Sequence, residues 1–155
     1  MKIKIYSLND ANKINGGNWI SIRDKGFEEF YKHIDETADE VLVLTFDDIH
    51  PYHVKHDMIH DFYKDAISKR EPIYFNEDMA NDIYDFVKNK DSINIHCFAG
   101  ISRSQAVGHI INIFFNALHG NKVDFINSIQ KFSVMNPLVL NIMENVFKER
   151  SINEQ

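Results

Sequence analysis

At 155 residues the chain has the length of one ordinary domain, and its 44% hydrophobic residues can fill a sizeable core at that size. A formal net charge of -6 excludes the extended basic surface of a nucleic-acid binder, so any anion site must be local. No apolar run nears the roughly 20 residues that span a bilayer, and Met1 to Tyr6 alternates charged with apolar residues instead of building a signal-peptide core. The expectation is a soluble, cytoplasmic protein without membrane contact.

In chain order, Lys2 to Tyr6 and Asn18 to Ile22 carry short strand patterns. Phe27, Phe30, Tyr31 and Ile34 recur at helical spacing, and Val41 to Phe46 is the β-branched, apolar run of a buried strand. Val54, Met58, Phe62 and Ala66 suggest a further helix, after which Lys69 and Arg70 read as a solvated turn. Met79, Ile83, Phe86 and Val87 follow the capping-type Asn76, and Ser92 to His96 forms a fourth strand pattern. Arg103 to Leu118 is a strongly apolar helix that stops before Gly120, and Val123 to Phe132 is a further amphipathic stretch. Asn136-Pro137 opens a last helix through about Lys148, and the polar Ser151 to Gln155 reads as a frayed tail. Strands alternating with helices predict an α/β layer fold with a central, mostly parallel sheet flanked by helices. With no repeat, low-complexity run or Pro/Gly-rich linker, residues 1–150 read as a single domain.

The lone cysteine excludes an intramolecular disulfide and a cysteine-rich metal site. Taken alone, Cys97 reads as a buried small hydrophobe, but its surroundings point to a reactive thiol. A buried strand ends at His96, a short loop contains Gly100, and a long helix begins near Arg103. That succession aims backbone N–H groups at a helix N-terminus, an arrangement that binds dianionic phosphate. The same field favours the thiolate of a cysteine at the start of the loop, which can then attack phosphorus directly. Arg103, six positions on, has the planar fork that grips two phosphate oxygens. Gly100 lets the backbone approach the ligand, and Ser104 can donate a hydrogen bond to the Cys97 sulfur.

The run His96-Cys97-Phe98-Ala99-Gly100-Ile101-Ser102-Arg103-Ser104 carries the H-C-x-x-G-x-x-R-[ST] signature and resembles the protein tyrosine phosphatase superfamily. Its Gly-Ile-Ser-Arg-Ser ending looks most like the small dual-specificity branch. Five specified positions coincide by chance on the order of once in a million start points. The resemblance is clear from about Val41 to Leu118 and implies a cysteine-phosphatase-like fold, with Phe98, Ala99, Gly100, Ile101, Ser102 and Arg103 cradling the phosphate. It also implies a supporting role for His96, which would hydrogen-bond the loop backbone instead of acting as a base. Other enzymes with the same C-x5-R spacing, arsenate reductases and low-molecular-weight tyrosine phosphatases, place the cysteine near the N-terminus, the reverse of the order found here. The variable loop positions lack the lysines of phosphoinositide phosphatases.

Expelling an alkoxide or phenolate requires a proton donor, and Asp47 and Asp48 follow the Val41 to Phe46 strand. Bare capping of the following turn is the ordinary use of aspartate in such a place. By resemblance the second of the pair, Asp48, is the preferred general acid, with Asp47 in support. The interval from Asp48 to Cys97 is longer than in many compact dual-specificity phosphatases, and the added Pro51 to Phe75 segment is rich in histidine. His56 and His60 have the i,i+4 spacing that suits a metal ion, but exposed histidines on a polar helix face are the preferred reading.

The function expected is therefore a cysteine-dependent protein phosphatase acting through a phospho-cysteine intermediate, without metal or cofactor. Its expected partner is a phosphorylated protein carrying phosphotyrosine; a deep cleft would favour phosphotyrosine, and a shallow one would also admit phosphoserine and phosphothreonine. The alternatives are a phosphate-binding module without turnover and an enzyme acting on a small non-protein phosphomonoester.

Overall fold

The computed structural model describes residues 1–50, 64, 69–116 and 135–154, together with the backbone of 125–127. Five strands form one sheet: β1 (Lys2–Tyr6), β2 (Asn18–Arg23), β3 (Glu40–Thr45), β4 (Ser92–His96) and β5 (Phe125–Asn127). Their order is β3-β2-β4-β1-β5, and every pairing is parallel. The register sets Tyr6 and Ser21 on either side of His96 at the carboxyl end of the sheet.

The helices are α1 (Leu8–Ala11), α2 (Lys32–Thr37), α3 (Glu77–Val87), α4 (Arg103–Phe115) and α5 (Pro137–Asn153), with a 3-10 turn over Glu28–Tyr31 ahead of α2. Alternation along each strand separates two cores. Ile3, Ile5, Ile20, Ile22, Ile93 and Ile95 face a large cluster with α3, α4 and α5, which includes Val107, Ile111, Met143 and Phe147. Trp19 faces the other way, against Leu8, Ala11, Tyr31 and Ile34. The central strands are thus covered on both faces, as near-continuous apolar sequence requires, whereas β3 at the sheet edge buries only Leu44 and leaves Val43 exposed.

Caps set several boundaries. The Asn76 side chain accepts from Met79 N–H at 3.0 Å to start α3, and Asn136 accepts from Leu138 and Val139 to start α5, with Pro137 in the first turn.

Three readings of the sequence are corrected here. The helical spacing of Phe27 to Ile34 resolves into a 3-10 turn and then a short α-helix, because only Tyr31 and Ile34 have a core to enter. Within the Val123 to Phe132 stretch, Phe125–Asn127 is a strand, drawn to the edge of β1 by backbone pairing. Finally, α5 runs to Asn153, so Ser151 to Asn153 are helical, not frayed. Arg150 holds that end against α3 by bonding Asn81 at 3.0 Å and Asp85 at 2.7 Å, while Tyr84 donates to Glu154 at 2.8 Å. The suggested helix through Val54 to Ala66, with His56 and His60, lies outside the described residues apart from Lys64.

Among the described residues no helix is long and apolar enough to cross a membrane.

Candidate active site

The loop from Cys97 to Ser102 leaves the carboxyl end of β4 and enters α4 at Arg103. Its shape is set by contacts on two sides. Leu8 N–H donates to the Phe98 carbonyl at 3.0 Å, and the buried Gln105 amide donates to the Gly100 carbonyl at 2.8 Å. The peptides of this loop are trans, so the next N–H groups, of Ala99 and Ile101, point opposite to these tethered carbonyls. Gly100 sits at φ +74°, and a Cβ there would lie 2.9 Å from Tyr6 C, Tyr6 O and Ser7 N. Both the left-handed backbone and the approach to β1 demand glycine.

Cys97 is buried, with 3% exposure, and its sulfur has two polar neighbours. Gly100 N–H donates to Sγ at 3.2 Å, and Ser104 Oγ lies 3.1 Å away. A thiolate here would accept from both.

His96 is fully buried between Trp19 and Tyr31, each ring centred 6.0 Å away. Its Nδ1 faces the Cys97 carbonyl at 3.3 Å and its Nε2 faces Ser21 Oγ at 2.6 Å. A carbonyl only accepts, so the neutral ring carries its proton on Nδ1, and the Ser21 hydroxyl donates to Nε2. Ser21 in turn accepts from Arg23 Nε at 2.9 Å, and Arg23 pairs with Asp35. Burial pushes the imidazole down to about 4, helped by the charges of Arg23 and Arg103 and opposed by the bond to Cys97. His96 is thus a neutral strut for the loop.

Arg103, the first residue of α4, is 2% exposed. Its Nη1 donates to Asp24 Oδ1 at 2.8 Å and to the Phe46 carbonyl at 2.9 Å, while Nη2 reaches Asp24 Oδ2 at 3.3 Å. Asp24 is itself buried, and its N–H donates to Tyr31 Oη at 2.9 Å. The guanidinium is therefore oriented by the residue that follows β2.

The two candidate acids occupy different environments. Asp47 is buried and accepts from Arg70 Nη1 at 2.8 Å, Arg70 Nη2 at 2.7 Å and Ile73 N–H at 2.8 Å. Burial alone would raise its carboxyl, but the Arg70 and Ile73 bonds and the charges of Arg70 and Arg103 outweigh it and hold the group below its usual range. Arg70 is consequently an anchor, not part of a solvated turn. Asp48 is half-buried, and its Oδ1 accepts from Ser102 Oγ at 2.7 Å and Asn136 Nδ2 at 2.8 Å. Ser102 belongs to the loop itself, so the Asp48 carboxylate stands at the loop's rim. A cleft of about 140 Å³ opens beside it, lined by His50, Ser102, Met135 and Asn136.

The candidate residues Cys97, Gly100, Ser102, Arg103, Ser104, His96, Asp47 and Asp48 thus meet at the carboxyl ends of β2, β3 and β4, the usual place for ligands on a parallel sheet. Sequence reading missed Asp24, Ser21, Gln105 and the contact of Asn136 with Asp48. The one signal available for Asp24 was its place directly after a buried strand. Among the described residues no group of three or more His, Cys, Asp or Glu side chains is arranged to hold a metal.

No family model, curated protein or solved structure matches this chain.

Proposed function

We propose that the protein is a cysteine-dependent phosphomonoesterase of the protein tyrosine phosphatase type, acting on phosphorylated protein through a phospho-cysteine intermediate. The observation that carries the proposal is the pairing of a sulfur held by Gly100 N–H and Ser104 with an arginine fork at the head of α4, across one loop. That combination suits an anionic nucleophile attacking an anionic phosphoryl group.

In the first step the Cys97 thiolate forms an S–P bond as the ester P–O bond breaks. Arg103 and the loop amides carry the charge of the equatorial oxygens, and the Asp48 carboxyl delivers its proton to the departing oxygen. In the second step water attacks phosphorus and gives a proton to the Asp48 carboxylate. The S–P bond then breaks, with Ser104 and Gly100 N–H receiving the returning thiolate. Asp47 is unsuited to the donor role because its bonds to Arg70 and Ile73 favour the ionised form.

Phosphate release from an aryl phosphate tests the proposal, with Cys97→Ser and Arg103→Lys beside the wild type. Turnover by the wild type and its loss in both variants is expected. Phosphate binding without release in the wild type would instead make the chain a phosphate-binding module.

A further inference from the structure

Of the five large hydrophobic side chains exposed among the described residues, three gather at one place: Phe27, Phe30 and Phe98, at 42%, 58% and 55% exposure. The rings of Phe27 and Phe30 lie 6.0 Å apart, and with Phe98, Leu8, Asp24 and Tyr31 they enclose a shallow recess. Phe98 directly follows the nucleophile, and Asp24 holds Arg103, so this apolar surface is continuous with the candidate phosphate loop. A group attached to a phosphate seated in the loop therefore has these rings within the same continuous surface. The recess holds only about 10 Å³, roughly the space of one water, so a ligand group would lie across the rings and not between them.

The surrounding charges narrow the occupant. Lys25, Glu28 and Glu29 are exposed on the same turn, a mixed and slightly acidic set that does not attract an anionic lipid surface. An aromatic face with a polar rim fits a peptide's apolar side chain.

We propose that Phe27, Phe30 and Phe98 form a platform that binds an apolar side chain adjacent to the phosphorylated residue of a peptide substrate. The proposal rests on the phosphatase reading of the Cys97 loop and adds a rule of substrate choice to it. Exposed rings are costly to leave in water, and three of them together are the ordinary mark of a binding surface.

The test compares two phosphotyrosyl peptides that differ only in having leucine or serine on both sides of the phosphotyrosine. Wild-type kcat/KM should favour the leucine peptide roughly three- to tenfold, and Phe27→Ser and Phe30→Ser should each shrink that ratio, mainly through KM. An unchanged ratio, or no wild-type preference, overturns the platform. So does a parallel loss on p-nitrophenyl phosphate, which would put the substrate's own ring on these residues. If the wild type releases no phosphate, the phosphatase reading fails, and binding of the same peptides to the Cys97→Ser protein decides the platform separately. A leucine preference that depends on Phe30 upholds it, and equal binding of both peptides overturns it.

Discussion

Asp24 and Arg103, 79 residues apart in the chain, form a buried ion pair with contacts of 2.8 and 3.3 Å. The pair aims the guanidinium that the loop would present to phosphate. Replacing Asp24 by Asn keeps the shape and one acceptor but loses the charge, and kcat/KM for an aryl phosphate should fall about tenfold or more. Asp24→Ala strands a buried cation and should also cost about 3 to 5 kcal/mol in denaturant unfolding. Retention of full activity by both variants would show that Arg103 needs no such support.

The two neighbouring aspartates should separate cleanly. Asp48→Asn is expected to lower kcat by about 10² or more on esters with poor leaving groups, and by much less on activated aryl esters that depart unaided. Asp47→Asn should instead lower stability by about 2 to 4 kcal/mol, because it leaves Arg70 half-buried beside a neutral amide. A plot of log kcat against leaving-group basicity for each variant, with urea melts alongside, checks both.

His96 provides a pH test. Its folded pKa of about 4 lies below the ordinary 6.5, so the unfolded chain binds the extra proton between those values. The contribution of His96 is therefore complete above pH 6.5 and is lost as pH falls towards 4. The full effect is about 3 kcal/mol. Urea midpoints should drop across that window in the wild type. The slope should flatten in His96→Asn, and an equally steep slope in that variant would assign the effect elsewhere.

Gly100→Ala should be severe. The added Cβ meets backbone atoms of Tyr6 and Ser7 at 2.9 Å, which cannot rotate aside, and φ of +74° adds its own cost. Together these should remove about 2 kcal/mol or more and abolish binding of vanadate or phosphate. A variant that binds oxyanion normally would contradict the loop geometry.

The loop was legible in the sequence because its parts are contiguous. A strand pattern, a glycine and an arginine at fixed spacing specify a local conformation without reference to the rest of the chain. The parallel sheet was legible for a similar reason, since Val41 to Phe46 and Ser92 to His96 read as buried strands, although β3 lies at the sheet edge, where it buries only Leu44 and leaves Val43 exposed. Asp24 and Ser21 were not legible, because each acts on a partner more than seventy residues away, and a place directly after a strand, as Asp24 has, does not name that partner. Arg70 looked like a surface cation until the fold brought Asp47 to it. The Phe125–Asn127 strand is too short for alternation to register, and its pairing with β1 is supplied entirely by tertiary context. The spacing of Phe27 and Phe30 suggested a helix, yet Phe27 lies ahead of the 3-10 turn and both side chains are exposed.

The central claim is a covalent bond between Cys97 and phosphorus. Acid-quenched turnover of an aryl phosphate, followed by mass analysis of the peptide containing Cys97, measures it directly. The account predicts one phosphoryl group on Cys97 in the wild type and none in Cys97→Ser, which should also release no phosphate. Phosphate release that persists in Cys97→Ser, or turnover with an unmodified Cys97 at every quench time, would contradict it.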